Sequence, residues 1–101
     1  MSVKTNDIFI VGAARTEFGR FDGEDSELAE TAVSGALADC GLTWSDIELA
    51  VGGTNGETKP DNLVSRLGLT GLPFVTVKNG CATGAVALMT ARNGLVAEDL
   101  D

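Results

Sequence analysis

Residues 8–14 read IFIVGAA. How this run is read decides the fold, because its apolar residues are continuous where a half-exposed strand would alternate. Continuity is the mark of a strand buried on both faces, so the run predicts a parallel sheet covered by helices. The stretch that follows, RTEFGRFDGED at 15–25, is polar, carries two glycines and has no period, and reads as a loop. A helix is expected from Ser26, whose hydroxyl would cap free N–H groups while Glu27 and Glu30 sit near the positive helix end. Leu28, Ala32, Ala36 and Cys40 recur every fourth residue, with Ala29, Val33 and Leu37 on the adjacent row, and Gly41 ends the stripe. Cys40 is there a small core side chain.

Further along, LTWSDIE at 42–48 reads as a turn with a short helical piece, and LAVGG at 49–53 as a second buried strand. TNGETK at 54–59 is a loose connection. Pro60 suits the first turn of a second helix that carries Leu63, Val64 and Leu67 and stops at Gly68. PFVTVK at 73–78 is the third strand, its proline at the entry where a missing donor is tolerated. A last helix, from about Ala82 to Val96, is apolar or small nearly all the way round, which predicts burial on every side. The order strand, helix, strand, helix, strand, helix gives an α/β layer architecture with right-handed crossovers. Three strands cannot cover such a helix, so the expectation is that residues 1–101 are an incomplete, amino-terminal portion of a larger domain.

Length, 44% hydrophobic and 22% charged residues describe one ordinary globular domain. The net charge of -8, from 15 acidic and 7 basic residues, argues against nucleic acid or an anionic membrane as partner. No stretch has the roughly 18 apolar residues of a spanning helix, so membrane insertion is not expected. Two cysteines behind an opening MSVKTND without a signal peptide point to free thiols in a reducing, cytoplasmic setting. With no histidine and two cysteines, zinc-finger spacing is excluded and no metal site is expected.

VKNGCATGAVAL at 77–88 sets Cys81 where the third strand hands over to the buried helix. The start of a helix offers unpaired N–H groups and a positive partial charge, which favour the reactive form of a thiol. The same N–H groups, above all that of Cys81 itself, are placed to stabilise an oxyanion formed by attack on a carbonyl. Gly80 allows a sharp turn and Gly84 a close backbone approach. Local physics leaves two readings open: Cys81 as nucleophile, or Cys81 as a small residue packed among alanines and valines. The hydrolase elbow G-x-[SC]-x-G is not met, since Asn79 and Thr83 stand where glycines would be needed. VGAARTEFG lacks the second glycine of a dinucleotide loop, and GGTNGETK lacks the G-K-[ST] end of a phosphate loop.

Three stretches in order, IVGAARTEFGRFDG at 10–23, LADCGL at 37–42 and LPFVTVKNGCATGAVAL at 72–88, resemble the amino-terminal part of the thiolases, especially the branch related to the sterol-carrier-protein thiolases. The resemblance rests on an A-R-T-x-F-G-R-F-x-G loop, a helix ending C-G-L before D-I, and an N-x-C-A-[ST]-G turn before a buried helix. It implies a five-layered α/β/α/β/α fold of two similar halves, of which this chain starts the first, with the last helix lying between the two sheets. It also implies that Cys81 is an acyl-accepting nucleophile whose own N–H is part of an oxyanion hole. The activity implied is thiolytic cleavage of 3-ketoacyl-CoA or the reverse Claisen condensation, in fatty acid or sterol degradation. A coenzyme A thioester is then a substrate, no prosthetic group is bound, and the assembly is a homodimer or homotetramer in which FVTV pairs with its two-fold mate. Thiolases take their histidines and a second cysteine from later segments; the 101 residues alone are expected to be inactive. Two alternatives stand beside this: a noncatalytic thiolase-like assembly module, and a condensing enzyme of the ketosynthase type, against which the A-R-T loop argues.

Overall fold

The structure, a computed structural model, describes residues 7–54 and 59–98, with Glu98 as backbone only. Helix α1 spans Asp25–Cys40, strand β1 Ala50–Gly53, helix α2 Leu63–Leu67, strand β2 Phe74–Val77 and helix α3 Thr83–Glu98. Short 3₁₀ turns occupy Trp44–Asp46, Pro60–Asn62 and Gly80–Ala82. Strands β1 and β2 pair in parallel, with Ala50 opposite Phe74 and Gly53 opposite Val77. Parallel neighbours require a crossover, and α2 with its leading 3₁₀ turn supplies it. The mixed α/β class read from the sequence is the class observed. Of the connection expected at 54–59, residues 55–58 lie outside the described residues, as do the first six residues of the chain.

The run at 8–14 departs from the reading above. It forms no strand, and Phe9, Ile10 and Val11 are 74%, 76% and 65% exposed. A strand exists only through a neighbour's backbone, and here the run lies along α1 instead. The Ala13 N–H donates to Asp39 Oδ2 at 3.1 Å, and Gly12 faces the Ala36 carbonyl and Cys40 so closely that a Cβ would collide. Between this run, α1 and β1 a groove of about 670 Å³ stays open, lined by Val11, Val33, Cys40 and Val51 among others. Two-faced apolarity thus identifies what the segment needs, and within these residues nothing meets that need on both faces.

The start of α1 also differs from expectation. The helix opens at Asp25 behind Glu24, and the Glu24 N–H donates to Glu27 Oε1 at 2.9 Å. Ser26 is no cap: its Oγ accepts Arg66 Nε at 2.8 Å. Arg66 further reaches Glu30 Oε1 at 3.3 Å and Glu24 Oε1 at 3.2 Å, clamping α2 to the first turns of α1. Gly41 ends α1 at φ 74°, donating its N–H to Leu37 as the sequence suggests.

Trp44 and Leu63 are the buried hydrophobic residues among those described, and Thr83 is the buried polar one. The Trp44 indole N–H donates to the Gly68 carbonyl at 2.9 Å, tying the turn after α1 to the end of α2. Helix α3 packs on β1 and on the residue before it through two close approaches at glycines. A Cβ on Gly94 would stand 2.7 Å from Leu49 Cδ2, and one on Gly53 would run into Thr83 Cγ2. Its other side is bare, with Leu88 and Met89 62% and 61% exposed, so the burial expected on every side is met on one.

The Trp44–Asp46 turn is closed by charge. Asp46 Oδ2 accepts the Thr43 N–H at 2.8 Å and the Thr43 hydroxyl at 3.0 Å, and these bonds, the backbone one first, hold its carboxyl below the usual aspartate range. A lowered native value means stability that is present above the unfolded value, about 3.9, and lost as the pH falls through the native one. Urea denaturation of the full chain should therefore find Asp46→Ala less stable than the parent at pH 7, with the gap narrowing below about pH 4. A gap independent of pH would show that the carboxylate is not what closes the turn.

Candidate functional site

The site forms where β2 hands over to α3. Past the last strand residue, Val77, the Thr54 N–H still donates to the Val77 carbonyl at 3.3 Å, so the carboxyl ends of both strands finish side by side. Lys78 and Asn79 lead off the sheet into the 3₁₀ turn Gly80–Ala82, and α3 begins at Thr83. In open α/β sheets this edge, beyond the carboxyl ends of parallel strands, is where ligands bind. Cys81 is the middle residue of that turn, and its thiol is exposed.

Gly80 has φ 55°, the left-handed region that costs a residue with a Cβ roughly 1–2 kcal/mol. The expectation that Gly80 makes the turn is therefore met by its backbone. Gly84 behaves otherwise. A Cβ there would meet nothing within 4 Å among the described residues, so the close approach expected at Gly84 has no partner within this structure. The helix itself begins at Thr83, one residue later than expected, because Gly80–Ala82 are wound as 3₁₀.

The turn is closed by hydrogen bonds on both sides of the cysteine. Ala82 N–H donates to the Asn79 carbonyl at 3.0 Å, and Thr83 N–H to the Gly80 carbonyl. The Thr83 hydroxyl adds two more: it accepts the Asn79 N–H at 2.9 Å and donates to the Gly80 carbonyl at 2.7 Å. Thr83 is 8% exposed, and its methyl rests on the bare backbone of Gly53. In the sequence Thr83 figured as a mismatch to the hydrolase elbow and as the hydroxyl position of the N-x-C-A-[ST]-G turn, with no role of its own. The available signal was a hydroxyl residue two places after the cysteine in a helix start otherwise made of alanine, glycine and valine.

The two thiols are kept apart. Cys40 is half-buried at the end of α1, its Sγ 3.4 Å from the Ala36 carbonyl and 3.5 Å from that of Leu37, and it borders the apolar groove. Cys81 does not line that groove. Both cysteines are free. No helix among the described residues is long and apolar enough to cross a membrane.

Comparison with known proteins bears on what such a turn belongs to. Rat sterol carrier protein 2 is 39% identical over 92 residues, which is 84% of this chain and 17% of the rat protein. Human sterol carrier protein 2 gives the same identity over the same length. A Caenorhabditis elegans non-specific lipid-transfer protein-like 2 is 34% identical over 91 residues, 84% of this chain and 22% of that protein. The chain thus spans about a fifth of the length of these relatives. Residues 8–101, which hold the loop after the first apolar run, the C-G-L helix end and the cysteine turn, match the N-terminal domain of thiolase, and the chain belongs to the thiolase family.

Proposed function

We propose that the full-length protein is a thiolase-type acyl-CoA acyltransferase in which Cys81 is the nucleophile. The observation that carries this reading is an exposed thiol on a glycine-permitted turn at the carboxyl ends of two parallel strands, in a chain of the thiolase family. Cys81 Sγ attacks the 3-keto carbon of a 3-ketoacyl-CoA, and the carbonyl electrons move onto oxygen. N–H groups of the turn, that of Cys81 foremost, are the donors proposed to hold this oxyanion. As the carbonyl re-forms, the bond between C2 and C3 breaks and its electron pair stays on C2, which takes a proton and leaves as acetyl-CoA. The acyl group remains on Cys81 as a thioester until the thiol of a second coenzyme A attacks it. Covalent capture divides one hard carbon-carbon step into two easier ones, and reversal is a Claisen condensation.

The proton carriers are not histidines of this chain, which has none. Acids and bases from outside these residues are part of the proposal, as is a coenzyme A pocket formed there. The relatives' names, sterol carrier and lipid-transfer proteins, support a lipid acyl group as cargo or substrate. The same names favour a second reading, a noncatalytic thiolase-like module in a lipid-carrying protein. A cytoplasmic location fits the two free thiols. Assembly as a homodimer is proposed through β2, whose pairing with β1 uses one edge only, while Val75 is 37% exposed.

Cys81→Ser in the full-length protein replaces the thiol by a hydroxyl of similar size. Thiolysis of acetoacetyl-CoA should fall by at least about a thousandfold. Stability should change by no more than about 1 kcal/mol, because the turn is held by Gly80 and Thr83 rather than by the sulfur. Parental turnover by the serine variant would reduce Cys81 to packing, and a parent with no turnover at all would favour the lipid-carrying module. Val75→Glu puts a charge on the free edge of β2 and should weaken self-association, read as a lower mass by light scattering at matched concentration. An unchanged oligomer would move the interface elsewhere.

A further inference from the structure

Thr83 is the buried polar residue of the described chain, and it lies two residues after the thiol. Its position is set from below. Gly53, the last residue of β1, has no side chain, and the Thr83 methyl fills that space; any Cβ on Gly53 would displace it. Its chemistry is directed upward. One hydroxyl accepts the Asn79 N–H at 2.9 Å and donates to the Gly80 carbonyl at 2.7 Å, so both residues before Cys81 are fastened to one atom after it. The fastening matters because Gly80, at φ 55°, is a residue whose backbone has several wells open to it. Without the hydroxyl, the Asn79 N–H loses its partner in a part-buried place and the Gly80 carbonyl keeps only the Thr83 N–H, so the turn is held by two backbone hydrogen bonds instead of four bonds.

From this we infer that Thr83 is a positioning residue for the Cys81 nucleophile, with Gly53 as the seat that makes its placement possible. The inference rests on the reading of Cys81 as the acyl-accepting residue and adds to it the device that holds the thiol. Thr83 itself touches no reacting atom. Its effect belongs to the transition state, because a fixed turn sets the line of attack and the direction of the nearby N–H groups. Substrate binding draws on other parts of the protein and should be little altered.

The test compares Thr83→Val, which keeps the shape and loses the hydroxyl, with Thr83→Ser, which keeps the hydroxyl and loses the methyl, in the full-length protein. For Thr83→Val, kcat for acetoacetyl-CoA thiolysis should fall at least about tenfold with KM within about twofold of the parent. Thr83→Ser should return kcat to within about threefold of the parent, since the two hydrogen bonds remain. Parental kcat in Thr83→Val, or a serine variant as impaired as the valine one, overturns the inference.

Failure of the nucleophile reading looks different: the parent and Cys81→Ser would then transfer acyl groups alike, or not at all. The alkylation rate of Cys81 by iodoacetamide still decides the matter in that case. It should move by at least about threefold in Thr83→Val and match the parent in Thr83→Ser, and equal rates in all three overturn the inference. Where Thr83→Val does not fold, Gly53→Ala carries the test, because it retains the hydroxyl and pushes it aside. A folded Gly53→Ala with lowered kcat and unchanged KM supports the inference, and one with parental kcat overturns it.

Discussion

The parallel pairing of β1 with β2 is the constraint on which the other elements depend. Four residues of each strand are in register, from Ala50 with Phe74 to Gly53 with Val77. Because parallel strands cannot be joined by a tight turn, the chain between them must cross over, and that requirement places α2 where Arg66 reaches α1 and Gly68 meets the Trp44 indole. Register also brings the two carboxyl ends level. Gly53 therefore lies beneath Thr83, and the cysteine turn has a floor. A slip of one residue would replace Gly53 beneath Thr83 with Gly52 or Thr54 and would turn the side chains to the opposite face.

What the pairing does not supply is cover. Apolar side chains at 9–11 and at 88–89 remain exposed, and the buried core among the described residues amounts to Trp44, Leu63 and the methyl side of Thr83. In rat sterol carrier protein 2 the matching segment is 17% of the chain, so there the equivalent surfaces have far more polypeptide to pack against. The composition is that of a domain with a full core, 44% hydrophobic, yet many of those residues lie on the surface of the described chain.

Local pattern was a good guide wherever a segment's partners are close in sequence. The four-residue stripe from Leu28 to Cys40 with Gly41 behind it, the short apolar runs at 49–53 and 73–78, and the glycine before Cys81 all became the elements their patterns indicate. Pattern was a poor guide where a partner is remote. Residues 8–14 have the composition of a central strand, yet composition cannot provide the second backbone a strand pairs with. Ser26 looked like a cap because short-range rules favour serine there, and the capping fell to Glu24 and Glu27 while a guanidinium forty residues away took the hydroxyl. The role of Thr83, present in the sequence as the hydroxyl position of the N-x-C-A-[ST]-G turn, went unread for a similar reason. Its worth comes from the empty backbone of Gly53, thirty residues earlier, and no spacing rule joins a threonine on a helix start to a glycine at a strand end.

At the cysteine turn the chemistry converges on a single atom, Cys81 Sγ. If the turn serves acyl transfer, the acyl group must rest on that sulfur between the two half-reactions. The direct measurement is to mix the full-length protein with acetoacetyl-CoA, quench in acid before free coenzyme A accumulates, and map peptides by mass spectrometry. One acetyl group on the peptide that carries Cys81, absent from the Cys40 peptide and removed by added coenzyme A, is the predicted result. Turnover of the substrate with Cys81 unmodified throughout, or an acetyl group found on Cys40 instead, would contradict the account.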